Sequence, residues 1–243
     1  MFSYIWHTFF FNPVYNSLVF FVDVVPAGDI GIAIIFTTIL IKMILLPLSV
    51  KAAKTQKIMR EIEPELREIK EKYKDKREEQ AQAMLKVYRE AGMNPFSAIF
   101  VIILQIPLVI ALYLSVFGYD GYSLPEINTE LLYQFITVPT EISMMFLGVT
   151  DMAERSVFLA ALVGITMFWH MRFVLPEPKL KKADATPDFK EDFARSMQLQ
   201  MRYVMPVIMM VIAYVISAAI ALYFLVSNIF AILQEFYIRR HRK

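Results

Sequence analysis

From Tyr203 to Leu233 the chain runs 31 residues without one charged side chain. A stretch so long and so apolar belongs in a bilayer, whose hydrocarbon core of about 30 Å is crossed by a helix of about 20 apolar residues. As a single helix the run would be about 47 Å long, more than tilt readily absorbs. It therefore reads as two spans, 203–217 and 219–238, joined by a tight turn near Ser217 to Ala219. Parity agrees, because a single crossing would put Arg239, Arg240, Arg242 and Lys243 on the opposite side from the basic loop that precedes Tyr203.

Three further runs have the length and character of spans: 29–50, 95–118 and 156–175, the last with Trp169 and Arg172 near one end, where an aromatic ring and a snorkelling guanidinium suit the interface. With 57% apolar residues and a mean hydropathy of +0.49, the chain is expected to be an all-α membrane protein of five transmembrane helices. Two other apolar stretches read differently. Within 1–28, Asn12-Pro13 has the form of a helix start and Pro26-Ala27-Gly28 of a stop, which leaves about 12 helical residues lying as an outer interfacial amphipathic helix. No Lys or Arg precedes its apolar part, so the pattern is not that of a signal peptide. Residues 119–155 carry Pro139 and Glu141 inside their apolar run and read as an outer loop against the membrane surface.

Charge sets the orientation. Twelve Lys and Arg fall in 51–94, seven in 172–202 and four in the tail 239–243, so 23 of 25 share one side. That side is cytoplasmic, with the N-terminus outside, and the expected location is the inner (plasma) membrane. Segment 51–94 holds 21 charged residues in 44, yet Ile58, Ile62, Leu66, Ile69 and Tyr73 recur at helical spacing. Pro64 marks a kink or a fresh helix start within it. A second helix, Arg77 to Ala91, ends at Gly92 with Asn94-Pro95 beyond, and the two arms form a cytoplasmic helical hairpin turning near Asp75. Residues 176–202 read as a connecting loop without a motif.

Lys42 is the one cation deep inside a span, about 13 Å of helix from Lys51 and too deep for an easy reach to the headgroups. Apart from Asp29 at the very start of the first span, the only acidic residue in any span is Glu235, near the end of the last helix beside Arg239. A neutral amine, snorkelling through a thinned bilayer and a hydrated cavity open to the cytoplasm all remain open, and the cavity is the reading the polar neighbours favour. Thr38 lies one turn before Lys42 on the same face, and Ser49 is close to it. Gln105, Ser227, Asn228 and Gln234 are candidates to complete a polar lining, against the plainer role of a helix-packing hydrogen bond. A positive, wet pocket invites an anionic guest.

Other chemistry has no foothold in the sequence. Cysteine is absent, which excludes disulfides, thiolate metal sites and thiol catalysis. His7, His170 and His241 fall in unrelated segments, and there is no HExxH, Gly-rich phosphate loop or buried carboxylate pair. No catalytic residue, metal or cofactor is expected.

Several stretches in order resemble the YidC family of membrane protein insertases in the Oxa superfamily. They are Gly31-Ile32-Ala33-Ile34-Ile35 through Thr38 and Lys42 to Leu46-Pro47-Leu48; Ile62-Glu63-Pro64-Glu65-Leu66 with Lys72-Tyr73-Lys74-Asp75; Gly92-Met93-Asn94-Pro95; Gln105-Ile106-Pro107; and Met205-Pro206 with Leu222-Tyr223 and Ser227-Asn228. The resemblance covers roughly 12–110 and 197–238. It implies a five-helix core around a hydrophilic groove open to the cytoplasm and the lipid and closed outside, with Lys42 where the family usually has arginine and Tyr223 added to the groove lining. A lysine keeps the charge but loses bidentate binding of a carboxylate. Ser217-Ala218-Ala219-Ile220 stands where the family usually has Pro-Ala-Gly-Leu. The implied activity is capture of a nascent membrane protein's polar segment while its apolar helix passes into lipid, without a nucleotide. The implied partners are nascent membrane proteins and the bilayer, with a ribosome at the hairpin and basic tail and a translocon as further candidates. A small anion transporter or channel built on Lys42, and a membrane assembly scaffold, are the competing classes.

Overall fold

The computed structural model describes residues 2–92, 96–119, 121–175 and 196–240. The expected Asn94-Pro95 stop, most of the 176–202 loop and the tail beyond Arg240 lie outside them. Among the described residues the chain is helical apart from short turns and the 119–155 segment, expected from the sequence to be an outer loop and called so below, whose β1 (Met145–Phe146) and β2 (Thr150–Asp151) pair as a short antiparallel hairpin. It divides into two units, 1–43 with 108–243, and 44–107.

The first unit opens on α1 (Phe2–Trp6), a π turn over His7–Phe11 and α2 (Asn12–Val24). Asn12 is not a free helix start. Its backbone is helical and its N–H bonds His7 O, so the helical run begins ten residues earlier than the Asn-Pro signal suggests. The wider turn explains this, since Pro13 has no N–H to give and a π turn just before it takes up the missing bond. Phe11, Val14, Tyr15, Leu18, Val19 and Val22, at spacings of three and four, form the buried stripe of this run.

That stripe is fastened to the outer loop. The Tyr15 hydroxyl accepts from Asn128 N at 2.8 Å, and Asn16 donates to Leu131 O at 2.8 Å while accepting from Tyr133 N at 2.6 Å. Tyr119 and His7 join at 2.9 Å. A little further on, α3 (Ile30–Lys72) is capped by Asp29, whose carboxylate accepts from Ile32 N at 3.0 Å and from Leu147 N at 2.7 Å. The loop lies so close there that a Cβ at Gly28, where φ is +56°, would sit 2.0 Å from Glu141 O. Only glycine combines that backbone conformation with that approach.

α6 (Val157–Val174) starts on Ser156, whose hydroxyl accepts from Leu159 N, and packs against both α7 (Ser196–Ile216) and α8 (Ala218–Arg240). The turn expected near Ser217 to Ala219 is a single extended residue, Ser217, between α7 and α8. Ala218 N and Ala219 N donate to Glu154 O and Met152 O at 2.7 and 3.1 Å, so loop carbonyls take two of the donors a helix start leaves open. Small side chains make the sharp turn workable without the family's proline and glycine: residues 217 to 221 are all buried.

The second unit holds the two arms of the 51–94 hairpin. α3 continues into it through Pro47 and Pro64, so Val50 is no helix boundary and Pro64 does not begin a new helix. An interior proline removes one ladder bond and bends a helix without having to end it. α4 (Arg77–Glu90) follows a turn over Tyr73 to Asp75, with Gly92 at φ +61° closing it. Gln80 Nε2 donates to Lys70 O at 3.0 Å across that turn, and Ala52 and Leu66 on the first arm and Val87 on the second are buried apolar positions. α5 (Phe96–Phe117) carries Pro107 within it and leads back into the first unit.

By length and composition, α6, α7 and α8 can each cross a membrane. The pair Ile30–Ile44 and Leu46–Met59 qualifies as one broken span, and Ile103–Phe117 is apolar but shorter.

Candidate functional site

In the first unit α3 descends from its Asp29 cap through Ile30, Ala33 and Ile34, all fully buried, to Thr37 and Thr38, which are also at 0% exposure. One turn later comes Lys42, half-buried. The Thr38 hydroxyl donates to Ile34 O at 2.7 Å, the back-bond by which a helix absorbs a threonine in apolar surroundings. Thr37 is different: its Oγ1 is buried without a hydrogen-bond partner.

α8 contributes Tyr223 and Ser227, one turn apart and 1% and 7% exposed. Their hydroxyls are near enough to act on each other, and both are buried without a hydrogen-bond partner of good geometry. An unsatisfied buried hydroxyl costs about 1–3 kcal/mol.

Asn228, the next residue on α8, has its amide engaged. Its Nδ2 donates to Thr166 Oγ1 on α6 at 3.2 Å and lies 3.5 Å from Val163 O, so this side chain fastens two helices together. Gln234 is half-buried further along α8. Gln105 falls in the second unit, half-buried on α5 two residues before Pro107. Lys42, Thr38, Tyr223, Ser227, Asn228 and Gln234 are thus all carried by the first unit.

One residue that spacing did not single out also belongs here. His170 on α6 is half-buried, its Nδ1 is enclosed without a partner, and its ring lies within electrostatic range of both Lys42 and Glu235. The signal was available in the sequence: a histidine three turns along an apolar helix poses the same solvation problem as Lys42 in its own. At that end of the helices the arginines are committed. Arg239 donates to Glu235 at 2.9 Å and to Phe173 O, and Arg202 donates to Leu175 O at 3.0 Å, so two cations cap the C-terminal carbonyls of α6.

Among the described residues no three His, Asp or Glu side chains are grouped to hold a metal ion. What remains is a cation on one apolar helix of this unit and, on another, two buried hydroxyls with no hydrogen-bond partner. The model of the family described as 60Kd inner membrane protein matches residues 20–243. The chain belongs to that family. Relatives in it carry the name membrane protein insertase YidC. The one from Clostridium tetani is 34% identical over 144 residues, 59% of this chain and 57% of its own. Those from Geobacter sulfurreducens and Syntrophobacter fumaroxidans are 26% and 30% identical over 97% and 98% of this chain, and 38% and 39% of their own. The chain therefore spans well under two thirds of the length of these relatives.

Proposed function

We propose that the chain is a membrane protein insertase. It holds the polar segment of an inserting polypeptide near Lys42 while the attached apolar helix enters lipid. The observation that carries this is a cation on α3 one turn beyond a fully buried threonine, in the same unit as the orphaned hydroxyls of Tyr223 and Ser227. Such a region shortens the low-dielectric path that a polar segment has to cross. Burial of the substrate's apolar helix drives the reaction, and no nucleotide enters it. The relatives' shared name supports the same reading.

In this reading five helices cross the membrane: the start of α3, then α5, α6, α7 and α8. The N-terminus and the 119–155 loop lie outside, and the 51–94 hairpin and the basic tail lie in the cytoplasm, where the hairpin receives substrate and the tail meets anionic lipid or ribosomal RNA. Reporters fused after Lys74 and Arg240 should read cytoplasmic and one after Tyr122 outside; an external report from Arg240 overturns the five-helix arrangement. The hairpin should act through its folded shape, so Leu66→Pro impairs insertion more than Lys74→Ala does.

The deciding experiment is reconstitution in vesicles with a single-span test protein bearing an acidic outer segment. Lys42→Arg should retain insertion, Lys42→Ala should lower it and Lys42→Glu should lower it further. Because the chain has no cysteine, Lys42→Cys gives a single thiol that an impermeant maleimide should label from the cytoplasmic side only. Transport of a small anion without insertion would overturn the proposal in favour of a transporter, and a fully active Lys42→Glu would remove the site.

A further inference from the structure

We propose that His170 is a second contact for the inserting polypeptide, taking a polar group adjacent to the carboxylate that Lys42 attracts. This rests on the insertase reading and adds to it a residue on a different helix. The geometry begins with α6, whose exposed face carries Val157, Phe158, Ile165 and Trp169. His170 is turned away from that apolar face, and so is half-buried where Arg172, two residues on, is exposed.

Thr166, Glu235, Arg239 and Arg202 each make hydrogen bonds of their own. Thr166, one turn earlier, donates to Leu162 O at 2.7 Å and receives Asn228 from α8. Glu235 and Arg239 on α8 are paired, and Arg239 and Arg202 occupy carbonyls at the end of α6. His170 Nδ1 is buried with no such bond. A ring nitrogen left this way within a membrane helix costs free energy that a bound polar group would return.

The chemistry of the two residues is complementary. An ammonium such as Lys42 offers a point charge and three donors, which selects carboxylate. An imidazole can donate or accept, so it serves a peptide amide, a hydroxyl or a second carboxylate oxygen alike. Lys42 and Glu235 both act on the ring, and Glu235 has its charge answered by Arg239, so the acid on α8 does not by itself repel an acidic guest. Together the pair suits an extended, hydrated, acid-containing stretch of polypeptide rather than a single small anion.

The test is photocrosslinking from position 170, alongside position 42, during synthesis of a single-span membrane protein with an acidic outer segment. The expected result is an adduct with that segment from both positions. Adducts from 42 without any from 170 overturn this inference and leave the insertase reading standing, whereas none from either position brings down both. Independently, His170→Leu should lower insertion of the same substrate about fivefold, what one hydrogen bond is worth. His170→Gln, which keeps a donor and an acceptor, should stay within about twofold. Both variants should accumulate in the membrane like the unaltered protein. Insertion by His170→Leu at the unaltered rate, with normal accumulation, also overturns the inference.

Discussion

The outer loop region and the Lys42 region both bury polar side chains, and they treat them in opposite ways. Against the outer loop, Asn16 is 2% exposed and makes hydrogen bonds to Leu131, Tyr133 and its own helix, while Asp29 has both carboxylate oxygens occupied. Around the candidate site, Thr37, Tyr223, Ser227 and His170 each bury an atom that bonds nothing. A satisfied buried polar group fixes a fold, and an unsatisfied one is a standing cost that a structure keeps where something else is to be bound. Burial alone would have ranked Asn16 and Tyr223 together. Satisfaction separates the residue that fastens the loop from the one proposed for the site.

Substitutions can break this contrast, and the largest effect should come from the outer region. Gly28→Ala forces a side chain into the left-handed region and onto the Glu141 carbonyl, so about 3–5 kcal/mol of stability should go, read as a large fall in thermal midpoint in detergent. An unchanged midpoint would mean the loop is not held as described. Asn16→Ala comes next, since it strands Tyr133 N–H and Leu131 C=O; a loss of about 2–4 kcal/mol is expected by the same measurement.

Asn228→Leu tests a candidate site residue whose amide is engaged in packing. About 0.6–1 kcal/mol should be lost with the Thr166 bond, with insertion falling only as far as stability does. If insertion collapses while the protein stays folded, Asn228 belongs with the unsatisfied set after all. Smallest in stability is Tyr223→Phe, which deletes a hydroxyl that has no proper partner. Its midpoint should hold or rise, by up to about 1 kcal/mol, while insertion of a polar segment declines. A Tyr223→Phe protein that is less stable yet fully active would reverse the assignment.

The sequence made the membrane helices legible because uncharged runs are a local property of the chain. Ser217 as the turn, Arg77 as the start of the second arm and Gly92 as its end followed from local rules of the same kind. Local rules failed where a local signal had a tertiary answer. Asn12-Pro13 has the residues of a helix start, yet a π turn carries the helix through it; at Pro64, where a kink or a fresh start was expected, the helix runs on without a new start. The outer loop was beyond reach for a related reason: the bonds of Tyr15, Asn16 and Asp29 to it join residues 113 to 118 apart in sequence, and nothing in the loop's composition announces them. Lys42 stood out because a lone cation in an apolar run is rare. His170 did not, because histidine draws notice as a ligand in clusters and seldom as a lone polar group in lipid.

Two helix starts in the outer region have their exposed backbone donors answered within the chain. α3 begins on the Asp29 carboxylate, and α8 gives the N–H groups of Ala218 and Ala219 to carbonyls of the loop. A bare helix start is an attractive resting place for an anion, and these two have been closed. In the proposed reaction, an acidic stretch of polypeptide drawn toward Lys42 would therefore find no rival trap at either one, and what it gained at the lysine it would not have to surrender again further along the same helix.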